Sequence, residues 1–203
     1  MNRPKAVVFD LGKVLVDFDY GITVRRILSR CRIGAMELRQ LIDQSPLLHR
    51  YETGLLSTRE LYDEVQRAAG YEGGFEEFCA SFADIFTPIV PMVELHAELR
   101  RRGVPLYVFS NTNELAVRHI RAQFPFFSEF DGYILSFEHR AMKPEETLYQ
   151  IVERVAQGQG NELLYVDDRP ENIATGTARG WHAVLHESPE QTRAAVVKLG
   201  FAL

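Results

Sequence analysis

Cysteine is scarce in this chain: Cys31 and Cys79 are the two present, far apart and without a partner pattern. Neither a disulfide framework nor a Cys-based metal or redox motif is expected, and both read as small buried thiols. Basic charge is also short. There are 23 Lys plus Arg against 28 Asp plus Glu, a net charge of −5 with neutral His, which disfavours nucleic acid and anionic membranes as partners. Long hydrophobic runs are missing too. The most apolar stretch, Cys79 to Leu99, is broken by Asp84, Pro88, Pro91 and Glu94, and Asp10 stands where a secretory signal would need its apolar segment. No membrane span and no secretion are expected, and a cytoplasmic location is. No Gly-x-Gly-x-x-Gly follows the first apolar run and no P-loop pattern occurs, which sets aside the usual nucleotide-binding readings.

What remains is the composition of an ordinary soluble globular protein, 203 residues with 46% apolar and 25% charged. Lys5 to Phe9 is a short apolar run rich in β-formers that ends at Asp10, which reads as a buried strand delivering an acid at its tip. Similar runs recur at Val104 to Phe109, Gly132 to Ser136, Leu163 to Val166 and His182 to Leu185, with helical patterns between them. This alternation predicts an α/β fold with a doubly wound parallel sheet, whose ligands bind at the carboxyl ends of the strands.

One gap is too long for a crossover. Phe18 to Thr87 separates the first strand from the helix near Pro91 and reads as mostly helical. Ala35 to Asp43 and Ser57 to Ala69 have helical spacing, and Ser57-Thr-Arg-Glu60 is a capping box. The expected organisation is a core of residues 1–17 and 88–203 with an inserted helical subdomain, 18–87, standing over the carboxyl edge of the sheet.

Four polar features fall at or just beyond strand ends: Asp10, Ser110-Asn111-Thr112-Asn113, Lys143-Pro144 and Asp167-Asp168. They would converge on one crevice. Three carboxylates so close cannot all stay ionised without positive charge among them, and Lys143 supplies only one unit against three. A divalent cation would complete the balance. Hard oxygen donors without a His or Cys cluster suit Mg²⁺, and a Mg²⁺ site with a Lys, a Ser hydroxyl and main-chain N–H groups suits a phosphate.

In order and spacing, Phe9-Asp10-Leu11-Gly12-Lys13-Val14-Leu15, Phe109-Ser110-Asn111-Thr112-Asn113, Met142-Lys143-Pro144 and Val166-Asp167-Asp168-Arg169-Pro170-Glu171-Asn172 resemble the four motifs of the haloacid dehalogenase superfamily. The helical insert resembles that superfamily's first type of cap domain. The wording of the motifs is similar to the bacterial alpha-D-glucose-1-phosphate phosphatases within it. The resemblance implies a Mg²⁺-dependent phosphatase for a small phosphorylated substrate, working through a covalent aspartyl-phosphate on Asp10. It implies that Ser110 and Asn111 bind phosphoryl oxygens, while Lys143 neutralises their charge and restrains Asp10. Asp168, an oxygen of Asp10 and the carbonyl of Gly12 would hold the metal, with Asp167 and Asn172 in support.

The chain departs from the family pattern at Gly12, where most phosphatases of this superfamily carry a second Asp as general acid and base. Such help is typically worth 10²–10⁴-fold, so a substrate with a good leaving group is expected, and an anomeric sugar phosphate such as glucose-1-phosphate fits. Two alternatives stand beside this one. A 2-haloacid dehalogenase would share the nucleophile, Ser-Asn and Lys without needing metal, although Asp167-Asp168 counts against it. A weakly catalytic phosphate-binding protein would account for Gly12. Lys13 reads as a solvated charge, and Trp181 and Phe124 to Phe127 as packing residues. The turn His49-Arg50-Tyr51-Glu52-Thr53-Gly54 is equally a helix end closed by Gly54 or a surface facing the sugar.

Overall fold

The structure, a computed structural model, describes residues 3–43 and 45–203. The chain runs β1 (Ala6–Phe9), β2 (Val16–Phe18), α1 (Tyr20–Ile27), α2 (Ala35–Ile42), α3 (Pro46–Glu52), α4 (Thr58–Ala69), α5 (Phe75–Ala83) and β3 (Phe86–Pro88). It continues through α6 (Val90–Arg101), β4 (Leu106–Ser110), α7 (Glu114–Gln123), β5 (Gly132–Leu135), α8 (Ser136–His139) and α9 (Glu146–Val155). The last elements are β6 (Leu163–Asp167), α10 (Pro170–Ala178), β7 (His182–Leu185) and α11 (Pro189–Lys198).

Five strands form one parallel sheet in the order β5-β4-β1-β6-β7, so the α/β expectation holds and each of the five expected runs is a strand. Both faces are covered. Val7 and Phe9 of β1 pack with Val108, Leu164 and Val166 into one apolar layer, which α6 joins through Met92, Leu95 and Leu99. Ala6 and Val8 point the other way, into a layer with Tyr107, Phe109 and Tyr165 that α9 closes through Leu148, Tyr149 and Val152. The two-residue alternation of a strand therefore buries every residue of β1, each large side chain contributing about 1.5–3 kcal/mol. Trp181 and Phe126 and Phe127 lie in these layers, as packing residues.

The helical segment leaves after β2 and returns through β3. These strands pair antiparallel, Val16 opposite Pro88 and Phe18 opposite Phe86, so the expected boundaries at 17/18 and 87/88 fall inside a two-stranded ribbon that the sequence reading missed. Three-residue strands, one ending in Pro88, carry too little alternation to be read. Within the segment, α4 opens on the Ser57–Glu60 capping box and α2 spans Ala35–Ile42, close to expectation. Helices α1 to α5 bury their own apolar cluster, with Ile27, Leu38, Val65, Phe78 and Phe82 at its centre, and Leu115 of α7 belongs to it as well. Both cysteines are free thiols. Among the described residues, no helix is long and apolar enough to cross a membrane.

Candidate active site

Three adjacent parallel strands deliver the acids and the serine to one edge of the sheet: Asp10 follows β1, Ser110 ends β4 and Asp167 ends β6. β1 is the strand at which the chain order reverses, with β4 on one side and β6 on the other, and a crevice opens there. Lys143 reaches the same place from the loop between α8 and α9.

Lys143 organises the site. Its side chain is almost wholly buried, and Nζ donates to the Phe109 carbonyl at 2.9 Å and to Asp167 Oδ2 at 2.6 Å while lying 3.0 Å from Asp10 Oδ1. Burial works against its charge, but Asp10 and Asp167 outweigh that and hold the ammonium above its ordinary pKa. Asp167 has no oxygen to spare. Its Oδ2 also accepts from the Tyr165 hydroxyl, and its Oδ1 accepts from the Arg169 N–H at 2.8 Å and from Asn172 Nδ2 at 3.0 Å. Burial would push this carboxyl up, yet Lys143 and these donors keep it below the usual carboxylate range.

Asp10 differs. Oδ1 accepts from the Leu11 N–H at 2.7 Å and from Lys143, whereas Oδ2 has no hydrogen-bond partner among the described residues. Burial pushes its pKa up to about 7 despite Lys143, and Asp167 and Asp168 add to the rise. Asp168 is also raised, by burial and then by Asp167. Asp10, Asp167 and Asp168 each offer a carboxylate oxygen within 4.8 Å of the others. With Asp167 saturated, Asp10 and Asp168 hold the oxygens available to a hard cation, and the unrelieved repulsion among the acids is what such a cation would remove.

Asn111 is tied to the lysine loop from both sides: Nδ2 donates to the Lys143 carbonyl at 3.1 Å, and the Lys143 N–H donates to Oδ1 at 2.7 Å. Thus Asn111 fixes the height of Lys143 over the sheet. Lys13 ion-pairs with Asp17 and donates to the Phe18 carbonyl at 3.1 Å, a half-exposed arrangement at the rim of the crevice.

A cavity of about 630 Å³ lies over this edge. Asp10, Gly12, Asn111, Lys143, Asp168 and Asn172 line its sheet side, while Ser110 and Asp167 are buried at the strand ends beside them. The helical segment supplies the opposite side, with Asp19, Tyr20, Arg39, Asp43, His49 and Glu52. The turn at His49–Gly54 is the helix end expected, α3 closed by Gly54 at φ +69, and two of its side chains, His49 and Glu52, line the cavity. Nothing in the sequence of that turn sets Glu52 apart from its neighbours. Among the described residues its carboxyl accepts one hydrogen bond, a long one of 3.4 Å from the Tyr20 hydroxyl, and its surroundings push it up to about 8. Burial is the main cause, with Asp10 and Asp43 adding to it.

Comparison with known proteins agrees with this fold. The chain is 26% identical over 179 residues to the sesquiterpene phosphatase astK of Aspergillus oryzae, covering 87% of this chain and 86% of that protein. Among solved structures, a HAD-like family hydrolase from Porphyromonas gingivalis superposes with a TM-score of 0.81 at 24% identity, over 99% of this chain and 100% of that one. The HAD family enzyme BT-2542 of Bacteroides thetaiotaomicron, in complex with magnesium and inorganic phosphate, has a TM-score of 0.79 at 21% identity, covering 90% and 93%. At such identities the two structures speak for the fold. The sequence model of the haloacid dehalogenase-like hydrolases matches residues 4–180, spanning all four strand-end motifs, and the chain belongs to that family.

Proposed function

We propose that the protein is a Mg²⁺-dependent phosphomonoester hydrolase acting on a small phosphorylated metabolite, a sugar phosphate such as glucose-1-phosphate, through an aspartyl-phosphate on Asp10. The observation that carries this reading is the asymmetry of Asp10 at the floor of the cavity: one oxygen is pinned by Lys143 and the Leu11 N–H while the other has no hydrogen-bond partner among the described residues. A carboxylate held in this way is positioned to attack in line. The phosphatase named among the relatives and the magnesium and phosphate bound to BT-2542 support the same chemistry.

In this reading Lys143 balances the charge on the transferring phosphoryl group, and the Ser110 hydroxyl with the Asn111 main chain donates to its oxygens. Asn111 and Asp167 act as positioning residues, the first through the main chain of Lys143 and the second through its ammonium. Asp10, Asp168 and the Gly12 carbonyl would hold the metal, with Asn172 in support. Bound there, Mg²⁺ would neutralise phosphoryl oxygens and lower the pKa of Asp10. The segment 18–87 acts as a cap over the core formed by 1–17 and 88–203, excluding water and choosing the leaving group. Its cavity wall is rich in hydrogen-bonding groups, Asp19, Arg39, Asp43, His49 and Glu52, which suits a polyhydroxylated leaving group better than a hydrocarbon one.

The test is phosphate release from p-nitrophenyl phosphate, glucose-1-phosphate and glucose-6-phosphate with Mg²⁺ and with EDTA, using Asp10→Asn as the blank. Mg²⁺-dependent release that requires Asp10 and favours the 1-phosphate is expected. Release that survives EDTA, or that Asp10→Asn retains in full, contradicts the proposal.

A further inference from the structure

A phosphatase without an acid beside its nucleophile must protonate its leaving group some other way. In this protein the usual place for that acid is closed as well as vacant: a Cβ built on Gly12 would lie 2.9 Å from the Phe18 ring edge. The ring is itself held by Lys13, whose Nζ sits 4.7 Å from its centroid, and by an edge contact with Tyr20 at 5.7 Å. In-line attack by Asp10 puts the departing oxygen on the far side of phosphorus, toward the wall that the helical segment builds.

Glu52 stands in that wall, and its main chain is locked to the core. The Ser136 hydroxyl, at the start of α8, donates to the Glu52 carbonyl at 2.6 Å and accepts from the Thr112 N–H at 2.9 Å. This single hydroxyl joins the end of α3 to the loop after Ser110. Two residues on, Gly54 lies so close to α8 that a Cβ there would meet the Phe137 carbonyl oxygen at 2.1 Å. Tyr51, the preceding residue, accepts from the Leu115 N–H of α7 at 3.3 Å. Three contacts to the sheet domain thus hold the main chain around Glu52, whose side chain lines the cavity.

Resting on the phosphatase reading above, we infer that Glu52 is the general acid of this enzyme, supplying from the cap the proton that the residue at position 12 cannot. Among the described residues, Tyr20 of α1, Asp43 after α2, Asp10 after β1 and Arg169 after β6 act on its charge, and Lys13, Asp19, Arg39, His49, Lys143 and Asp168 share the cavity with it. Tyr20 stays protonated, its pKa raised by burial and by Glu52. The acids among these groups disfavour a second negative charge at Glu52, Arg169 opposes them, and with burial the balance leaves the carboxyl protonated at neutral pH, at about 8.

In the first step Asp10 Oδ2 bonds to phosphorus as the bond from phosphorus to the leaving oxygen breaks. The Glu52 proton passes to that oxygen, releasing the alcohol and leaving Glu52 as carboxylate. In the second, the Glu52 carboxylate takes a proton from the water that attacks phosphorus. Asp10 leaves as carboxylate and inorganic phosphate departs, with Glu52 protonated again.

The experiment compares kcat/KM, which reads the steps up to acyl-phosphate formation, for p-nitrophenyl phosphate and glycerol-1-phosphate in wild type and Glu52→Gln, with Mg²⁺ present. Glu52→Gln should lose roughly 10²-fold or more on the alkyl ester and no more than about threefold on the nitrophenyl ester, whose leaving group needs no proton. Wild type should show an alkaline fall above about pH 8 on the alkyl ester alone, and Glu52→Gln should lack it. Equal losses on both esters, as a structural role would give, overturn the inference. So does a wild-type alkaline limb shared by both esters, a result that needs no variant to fold. Absence of turnover of either ester by wild type would remove the phosphatase reading itself.

Discussion

Replacing Lys143 by Met keeps the length of the side chain and removes the one charge buried among the acids. The structure sets the size of the effect. Lys143 Nζ is 2.6 Å from Asp167 Oδ2 and 3.0 Å from Asp10 Oδ1, with side-chain exposures of 1%, 0% and 10%, so solvent screens neither contact. Removing one partner of a buried, hydrogen-bonded ion pair costs about 3–5 kcal/mol, because the charge left behind is uncompensated. For a chain of this size that corresponds to a Tm lower by about 6–20 °C.

The pH dependence has a definite sign. Without Lys143, the folded-state pKa values of Asp10 and Asp167 rise far above those of the unfolded chain. Each raised acid then costs little near pH 4 and destabilises progressively as pH rises through its folded-state pKa. The loss should therefore be several kcal/mol near about pH 8 and much smaller near about pH 5. Trp181, the single tryptophan and a buried one, reports unfolding in urea by fluorescence, in EDTA so that no cation takes the place of the ammonium. A loss below about 1 kcal/mol at the higher pH, or one that does not change with pH, would refute the hub role of Lys143.

Magnesium binding should be proton-linked, because Asp10 sits at about 7 in the metal-free protein. Affinity is expected to rise about tenfold per pH unit below 7 and level off above it, and calorimetry showing constant affinity between about pH 5.5 and 8 would contradict this. The same raised pKa means that metal-free stability falls as pH climbs from the unfolded value of 3.8 through about 7, a loss that added Mg²⁺ should offset in thermal melts. Gly54→Ala forces a side chain into a left-handed backbone and against the Phe137 carbonyl. It should cost at least about 2 kcal/mol, roughly 4–8 °C in Tm, and lower kcat/KM for glucose-1-phosphate; an unchanged melt would show that the end of α3 does not need its seat on α8.

The strand-end residues were legible because each strand is a short apolar run stopped by a polar group, and parallel strands send all such groups to the same edge. Asp10, Ser110 and Asp167 needed no more than that. Their division of labour was not legible. That Asp167 spends both oxygens on Lys143, Tyr165, Asn172 and Arg169, while Asp10 keeps one without a partner among the described residues, depends on side-chain directions that spacing does not encode. The tie between Asn111 and the Lys143 main chain is hidden for the same reason, since the two residues lie 32 positions apart. Glu52 was harder still. Its place over the cavity follows from Ser136, Phe137 and Leu115, contacts across 84, 83 and 64 positions or more that form only once the helical segment has docked. The ribbon of β2 and β3 escaped because three-residue strands do not show a period.

The most direct test of the covalent route is a rapid acid quench of the enzyme with Mg²⁺ and glucose-1-phosphate carrying a radiolabelled phosphoryl group, followed by mapping of labelled peptides. Label is expected on the peptide containing Asp10, at a level that rises before phosphate release reaches steady state, and none on Asp10→Asn. Phosphate released at the full rate with no label on the protein, or label on another residue, would contradict nucleophilic catalysis by Asp10.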